Sequence, residues 1–216
     1  MKTLFAAFVM SNMLILSGCG SGSEGGSGPP PTIVTEILSR ATSDGDIQFD
    51  PPNVFTVSQG TVPSVLAGID PVTGSEFRTF LDFPLAGAGG VPGDAIIESA
   101  ILDIFVDSIS IQPAASSIPI RIELVSFPSQ TLLASDFARN IRPALGFTTI
   151  IPPISPADVR RNVSVDVTSL MVEAQRRGLS DFQIRILEDD GFVVPGLIEI
   201  EDRIVNQTPL LTVTYF

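Results

Sequence analysis

Residues 97–106 read Ile-Glu-Ser-Ala-Ile-Leu-Asp-Ile-Phe-Val, and this stretch decides the fold. Ala100, Leu102, Ile104 and Val106 fall on one face of an extended chain, because successive side chains of a β-strand point to opposite sides. An apolar face with a period of two predicts an antiparallel strand with one side packed against a core.

The same alternation recurs along the chain from Ile33 onward. The inward apolar positions of the other runs are Phe77, Thr79, Leu81, Phe83 and Leu85; Ile118, Ile120, Ile122 and Leu124; Val163, Val165 and Val167; Phe182, Ile184 and Ile186; Ile198 and Ile200; and Leu211, Val213 and Tyr215. The opposite faces carry residues such as Arg78, Glu123 and Arg185. Turn signals rich in Gly and Pro separate the runs, so we predict an all-β sandwich or barrel over residues 33–216.

One short helix is predicted directly after Asp166-Val167-Thr168, from about Ser169 to Arg177. Thr168 suits the N-cap and Gly178 suits the position after the helix end. Its apolar stripe is Leu170, Met171 and Ala174. A second helical turn is predicted to begin at Ser155, because Pro156 suits a first helical position.

The N-terminal residues 1–18 predict a secretory signal peptide. Lys2 precedes an apolar run from Leu4 to Leu16, which is shorter than the roughly 20 residues that a membrane-spanning helix needs. The residues Leu16-Ser17-Gly18-Cys19 resemble the lipobox of bacterial lipoproteins. That resemblance implies that Cys19 becomes the new N-terminus and carries the lipid; ordinary secretion with cleavage beside the same small residues is the alternative.

Residues 19–32 predict a solvated tether between this anchor and the folded domain. The segment is rich in Gly and Ser and includes Pro29, Pro30 and Pro31, a composition that forms no packed core. The residue after Cys19 is Gly20, and by resemblance to sorted lipoproteins it favours the outer membrane. We therefore expect a lipid-anchored protein of the bacterial cell envelope.

The composition excludes several classes of function. The chain has 12 basic and 24 acidic residues, a formal charge of -12, and no His or Trp. Without His there is no Ser-His-Asp triad or imidazole metal site, and a single Cys forms no intrachain disulfide or zinc finger. The acidic balance argues against nucleic acid as a partner.

Carboxylates are the abundant reactive groups; we expect no cofactor, and calcium is the one candidate that these groups offer. Asp44, Asp46 and Asp50 form one acidic loop, and Asp189 and Asp190 lie in another. Calcium takes six to eight oxygen ligands from such loops, although neither run fits an EF-hand. The alternative is turn formation, for which Asp and Gly are common.

Four segments occur in the order found in a known family. They are Phe77-Arg78-Thr79-Phe80-Leu81-Asp82-Phe83, residues 97–106, Val165-Asp166-Val167-Thr168-Ser169-Leu170, and Pro209-Leu210-Leu211-Thr212-Val213-Thr214-Tyr215. Together they resemble the DNRLRE domain family of secreted and surface proteins. The resemblance implies a jelly-roll-like antiparallel β-sandwich with a non-catalytic role in carbohydrate binding, adhesion or surface architecture.

Two departures from that family limit what is carried over. Its members commonly place a Trp in mid-domain, and this chain has none. Some relatives bind acidic polysaccharide, but a domain this acidic repels a polyanion. Tyr215 is the single Tyr or Trp available to stack on a sugar. The aromatic side chains in loop-like segments are Phe55, Phe127, Phe137, Phe147 and Phe192, which we expect to plug the ends of the sandwich.

The sequence favours the first of three functions and predicts that the protein is not an enzyme. The first is a module that binds a glycan or matrix component, for which a groove across a sheet face with convergent polar groups would be the sign. The second is a structural or accessory subunit of a cell-surface assembly, for which an exposed apolar patch would be the sign. The third is a polysaccharide hydrolase or lyase, which would need a buried carboxylate pair in such a groove.

Overall fold

The computed structural model describes residues 31–60, 62–189, 191, 193–204 and 206–216. The signal peptide, Cys19 and most of the tether therefore lie outside the described residues. The described part belongs to one compact unit, Pro31–Phe216.

The described residues form twelve β-strands and one α-helix. The strands are β1 (Ile33–Leu38), β2 (Gly45–Asp50), β3 (Val54–Gln59), β4 (Ser64–Ile69), β5 (Glu76–Pro84), β6 (Ile97–Ile111), β7 (Ile120–Leu124), β8 (Gly146–Thr149), β9 (Arg161–Asp166), β10 (Asp181–Glu188), β11 (Gly196–Glu201) and β12 (Leu210–Tyr215). The helix α1 spans Thr168–Arg176. Short 3₁₀ helices span Ala134–Phe137 and Pro156–Asp158, and the second confirms the helical turn expected after Ser155.

The strands pair antiparallel in the order β1-β12-β6-β11-β4-β5-β10-β7-β8. Off this path, β2 pairs with β3 and β5, and β9 pairs with β6. The sheet curls on itself, so the prediction of an all-β, sandwich-like fold with one helix is confirmed.

The long strand β6 organises one side of the sandwich. Its first part, Ile97–Asp103, pairs with β12, and its second part, from Val106 to Ile111, pairs with β11. Strand β9 pairs with residues 101–106 of β6 and overlaps both partners. Strands β11 and β12 therefore follow one another along the same side of β6, and β9 lies on the other side.

The main core fills the inside of the curled sheet. The inward positions predicted from β5, β6, β7 and β10 are buried there, and α1 adds its apolar stripe. Representative fully buried members are Leu81, Leu102, Ile122 and Ile184. Burial of each such side chain contributes about 1.5–3 kcal/mol relative to exposure.

A second core lies on the outer face of the strands β2, β5, β7 and β10. The segment 125–142 crosses this face and covers it. Its apolar part consists of Ile47, Phe80, Val125, Phe127, Leu132 and Phe137. Phe127 and Phe137 are thus buried, whereas Phe55 and Phe147 are exposed on strands β3 and β8. Phe192 lies outside the described residues.

Because of this cover, the polar faces of the central strands are not solvated as the alternation predicted. Asp82, Glu123 and Arg185 are fully buried. Glu123 accepts a hydrogen bond from Arg185 Nε at 3.0 Å and another from Arg139 Nη2 at 2.6 Å. The pairing of opposite charges makes the burial of these groups tolerable.

The helix α1 begins and ends one residue before the predicted positions. The prediction that Thr168 caps it is wrong, because Thr168 Oγ1 accepts a hydrogen bond from the backbone N–H of Ala100 at 2.9 Å. Asp166 Oδ1 instead accepts the backbone N–H of Thr168 at 2.9 Å. Gly178 follows the helix with a φ of +64°, a conformation that favours glycine.

Candidate functional site

A groove of about 470 Å³ crosses the outer face of the sheet formed by β1, β12, β6 and β9. We call it the sheet-face groove. Its lining residues come from those four strands and from the segment that joins β11 to β12. They are Glu36, Leu38, Asp103, Asn162, Asn206, Thr208 and Leu210.

The strand register explains why these residues meet. Leu38 lies opposite Leu210, and Leu210 lies opposite Asp103 on the other side of β12. Directly paired residues of neighbouring strands share one face of a sheet. Glu36 is two residues before Leu38 and Asn162 is two residues before Ser164, the partner of Asp103, so both lie on that same face. Leu38, Leu210, Asp103 and Ser164 thus form one row across four strands, and Glu36 and Asn162 lie in the neighbouring rows on either side of it.

The groove combines an apolar floor with a polar rim. Leu38 is 48% exposed, and together with its partner Leu210 it offers aliphatic surface to the groove. The carboxylates of Glu36 and Asp103 and the amides of Asn162 and Asn206 line the groove beside this floor. Carboxylates accept hydrogen bonds and amides both donate and accept them. Such a surface fits a ligand with one apolar side and many hydroxyl groups.

Asp103 is held in place from the neighbouring strand. Ser164 Oγ donates a short hydrogen bond to Asp103 Oδ1. Asp103 is partly buried, whereas Glu36 and Asn162 are exposed. The groove is therefore open to a ligand and has one rigidly placed acceptor.

A larger groove, of about 680 Å³, lies at one end of the sandwich. It is lined by Arg40, Thr42, Ser43, Pro128, Ser129 and Gln130. The guanidinium group of Arg40 is the strongest hydrogen-bond donor in this groove, but it already binds two carboxylates of the protein. Arg40 Nη1 donates to Asp82 Oδ2 at 2.6 Å, and Nη2 donates to Asp181 Oδ1 at 3.3 Å. This makes the end groove a weaker candidate despite its size.

A third groove, of about 550 Å³, lies between the edge strands β8 and β9. Its lining is rich in hydroxyl groups from Thr148, Thr149, Ser164, Thr168 and Ser169. The Thr168 hydroxyl is already used by Ala100. The sheet-face groove remains the site where free acceptors and an apolar floor coincide.

The three acidic residues predicted as a calcium loop each accept a hydrogen bond from a different part of the protein. Asp44 is buried and Oδ1 accepts the backbone N–H of Asp82 at 2.8 Å. Asp46 Oδ2 accepts the N–H of Leu66 at 3.1 Å, and burial raises the pKa of Asp46 to about 6. Asp50 Oδ1 accepts from Gln48 Nε2 at 2.8 Å.

Within the described ranges, no group of three or more Asp, Glu, His or Cys side chains is arranged to hold a metal ion. Asp189 Oδ1 accepts the N–H of Gly191 at 3.0 Å, which is turn chemistry. Asp190 lies outside the described residues, as does the predicted lipid attachment residue Cys19. The calcium prediction thus gains no support from the residues that are described.

Beside Asp189, the last residue of β10 is a buried carboxyl group. Glu188 is 5% exposed, and burial raises its pKa to about 7. Tyr215 is buried as well, so it offers no aromatic platform to a sugar.

The residues of the sheet-face groove were missed by sequence reasoning, apart from their positions in predicted strands. Glu36 and Asn206 are isolated polar residues with no motif around them. The exposed side of the β12 alternation, which includes Leu210 and Thr212, was the one available signal. Only the strand register identifies its neighbours.

No family model matches this chain, and no curated protein matches it either. Among the described residues, no helix has both the length and the apolar character needed to cross a membrane.

Proposed function

We propose that this protein is a non-catalytic, lipid-anchored lipoprotein of the bacterial cell envelope whose β-sandwich binds a neutral glycan in the sheet-face groove. The observation that carries the proposal is the pairing of the apolar floor, Leu38 and Leu210, with a rim of carboxylates and amides. A pyranose ring has a C–H face for such a floor and hydroxyl groups for such a rim. Ligand sites commonly combine apolar lining with a few placed polar groups.

The charge of the chain favours a neutral ligand over a polyanion. The formal charge is -12, and Glu36 and Asp103 add negative charge at the groove itself. Repulsion between like charges acts over about 8 Å at physiological ionic strength and farther at low salt. A neutral polysaccharide escapes this repulsion.

A binding role fits the groove better than hydrolysis. A glycosidase uses two carboxyl groups, one of which is kept protonated by an environment that raises its pKa. Glu36 is exposed to solvent and Asp103 is only partly buried. The resemblance to the DNRLRE domain family supports the same non-catalytic role.

The anchor part of the proposal rests on the lipobox-like residues 16–19 and the tether 19–32. A flexible tether of about 12 residues gives an r.m.s. reach of roughly 20 Å. This lets a folded domain meet a ligand away from the membrane that holds it. Location at the outer membrane is the expectation drawn from Gly20.

A second function, an accessory subunit of a cell-surface assembly, is favoured by strand β3. Val54, Phe55 and Val57 are exposed there, and among the described strands β3 pairs with β2 alone. A free strand edge with apolar side chains is a template for pairing with another chain.

The proposal is tested by binding of the full chain, purified in detergent, to an array of neutral and acidic glycans. We expect neutral glycans to bind, and Asn162→Ala and Asp103→Asn to weaken the best of them about tenfold each, as loss of one hydrogen-bonding group does. Glu98→Gln, which removes an exposed carboxylate of β6 outside the groove, is the matched control and should bind normally. Binding that is unchanged in Asn162→Ala, or restricted to acidic glycans, would contradict the proposal.

The same assay separates the two functions. Val57→Lys places a charge on the free edge of β3 and leaves the groove intact. Glycan binding that survives Val57→Lys and is weakened by Asn162→Ala favours the glycan site over an assembly surface.

A further inference from the structure

Two buried carboxyl groups meet beside the sheet-face groove. Asp202 is 1% exposed and opens the segment 202–209, which carries the groove residues Asn206 and Thr208. Asp44 is fully buried and directly precedes β2. The contact between them therefore joins the groove segment to the rest of the sandwich.

The hydrogen bonds around this pair are incomplete if both groups are ionised. Asp44 Oδ1 accepts the N–H of Asp82 at 2.8 Å. Asp44 Oδ2 and both oxygens of Asp202 receive no hydrogen bond from a donor among the described residues. The Ser39 hydroxyl is buried beside both carboxyl groups, and its single O–H can donate to only one of them at a time.

The hydrogen-bonding chemistry of carboxyl groups limits the protonation states that Asp44 and Asp202 can adopt. The side chains of Asp44 and Asp202 are within hydrogen-bonding reach of each other. Two carboxylates are both acceptors, so a bond between them exists only when one carries a proton. Leaving two buried charges with one hydroxyl donor between them and no counter-ion is strongly unfavourable.

We propose that Asp44 and Asp202 share one proton at neutral pH, and that this protonated pair fixes Asp202 at the start of the connection that carries the groove residues Asn206 and Thr208. Loss of the proton places two negative charges in contact, which weakens the attachment of Asp202 and of the groove residues that follow it. The link to ligand binding rests on the proposed glycan function, whereas the shared proton does not.

A proton explains the pair better than a cation does. Asp44 Oδ2, the two oxygens of Asp202 and Ser39 Oγ supply at most four side-chain ligands, fewer than the six to eight that calcium takes. These atoms are inaccessible to solvent, so further ligands for a cation would have to come from backbone carbonyl groups.

The charged groups around the pair do not neutralise it. Asp82 on β5 faces Asp44, and Glu201 on β11 faces Asp202. Arg40 is the nearby base, and its guanidinium binds Asp82 and Asp181 instead. The neighbours thus add negative charge and favour retention of the proton.

The direction of the titration follows. Burial, together with the charge of Asp44, raises the pKa of Asp202 to about 8, and burial raises the pKa of Asp44 to about 6. The unfolded chain releases these protons near pH 4. Between about pH 4 and pH 8 the folded state binds more protons, so the stabilisation is complete at low pH and is lost as pH rises through 8.

The test compares the melting temperature of the full chain with that of Asp202→Asn and of Asp44→Asn, in detergent with chelator, from pH 5 to pH 9. We expect the melting temperature of the unmodified chain to fall by at least about 4 °C more than that of Asp202→Asn over this range. Asp202→Asn should be the more stable of the two at pH 9. Asp94→Asn removes an exposed carboxylate and should follow the unmodified chain.

Asp44→Asn should flatten the same profile if Asp202→Asn fails to fold. Parallel profiles for all variants that fold would overturn the shared proton. An increase in melting temperature on adding 1 mM calcium at pH 8, present in the unmodified chain and absent in Asp202→Asn, would replace the proton by a cation and overturn it too.

The coupling to the groove is read separately, with the glycan that binds best at pH 6. Affinity should fall at least about tenfold at pH 9 in the unmodified chain and much less in Asp202→Asn. Equal affinities at both pH values would overturn the coupling between the carboxyl pair and the groove. The melting profiles would still test the shared proton. Absence of glycan binding at every pH would overturn the proposed function and leave those profiles unaffected.

Discussion

Arg185 is the largest fully buried side chain, and it lies on the outer face of β10 beneath the segment 125–142. Its Nε donates to Glu123 at 3.0 Å, and Nη2 also contacts Glu123 and the backbone oxygen of Arg142 at 3.1 Å. Burial lowers the pKa of Arg185 while Glu123 opposes that shift. The buried ion pair between Arg185 and Glu123 therefore helps to hold the covering segment 125–142 against β10, away from solvent.

At this scale we predict the effect of removing the arginine. Arg185→Met should lower the free energy of unfolding by about 1.5–3 kcal/mol, because the buried Glu123 keeps its ion pairs with Arg121 and Arg139 but loses its charge-assisted hydrogen bonds from Arg185. The double variant Arg185→Met with Glu123→Met should recover part of this loss, since Arg121 and Arg139, which then lose Glu123, are partly exposed and can be solvated. Urea unfolding measures both.

The control for this pair is Arg203→Met, which alters an exposed arginine and should change stability by less than about 0.5 kcal/mol. A double variant that is less stable than Arg185→Met would show that the remaining contacts of the network, and not the buried charge, govern stability here.

The sequence could place Arg185 and Glu123 on one face of their strands, but it could not show that this face is buried. Alternation reports the apolar face, and the polar face is ordinarily solvated. The cover comes from a segment of irregular structure, whose Phe127 and Phe137 carry no periodic signal. Only contacts between distant parts of the chain reveal it.

At the scale of the elements, the register of β4 and β11 depends on Gly68. Its φ is +114°, and a Cβ added there would collide with the carbonyl oxygen of Gly196 on β11. Both effects exclude a side chain, since positive φ is strained for residues other than Gly and backbone cannot move aside cheaply. The close approach of Gly68 to Gly196 lets β11 pair with β4 on one side and with β6 on the other.

We predict that Gly68→Ala lowers the free energy of unfolding by about 2 kcal/mol or more, because strain of this kind costs about 1–3 kcal/mol before any collision is counted. Gly93→Ala is the matched control, since nothing lies within 4 Å of a Cβ built at Gly93 and no positive φ is recorded there. Denaturation followed by circular dichroism compares the two. A Gly68→Ala chain as stable as Gly93→Ala would show that the register adjusts without cost.

Elements were more predictable than their ends or their partners. The period of two located β5, β6, β7 and β10, and the helix was found within one residue. The cap was misassigned because the Thr168 hydroxyl binds the distant Ala100 rather than its own helix. The groove was not predictable for the same reason: Glu36, Asp103 and Asn162 meet only through the pairing of β6 with β12 and β9.

At the scale of the whole molecule, the described domain and the N-terminal segment carry different parts of the proposed function. The domain offers a groove across one sheet face, and its charge selects against polyanions. The residues 16–19 would keep it at a membrane through a lipid. Separate variants can therefore abolish retention and ligand binding independently.

Lipid attachment is tested by Cys19→Ala in the full chain. Cys19 is the single cysteine, so no other thiol can take its place. We expect the protein to move from the detergent-soluble membrane fraction to the soluble fraction and to lose incorporation of labelled palmitate. The physical reason is that burial of acyl chains contributes about 0.8 kcal/mol per CH₂, and two or more chains hold a protein stably at a bilayer.

The matched control is Ser21→Ala, which changes a small residue of the tether and should leave the protein in the membrane fraction. Glycan binding by Cys19→Ala should equal that of the unmodified chain, because the groove residues Glu36, Asp103 and Asn162 belong to the domain alone. Persistence of Cys19→Ala in the membrane fraction after a high-salt wash would reject the lipid anchor. The proposed glycan site would then still be tested by the groove variants Asn162→Ala and Asp103→Asn.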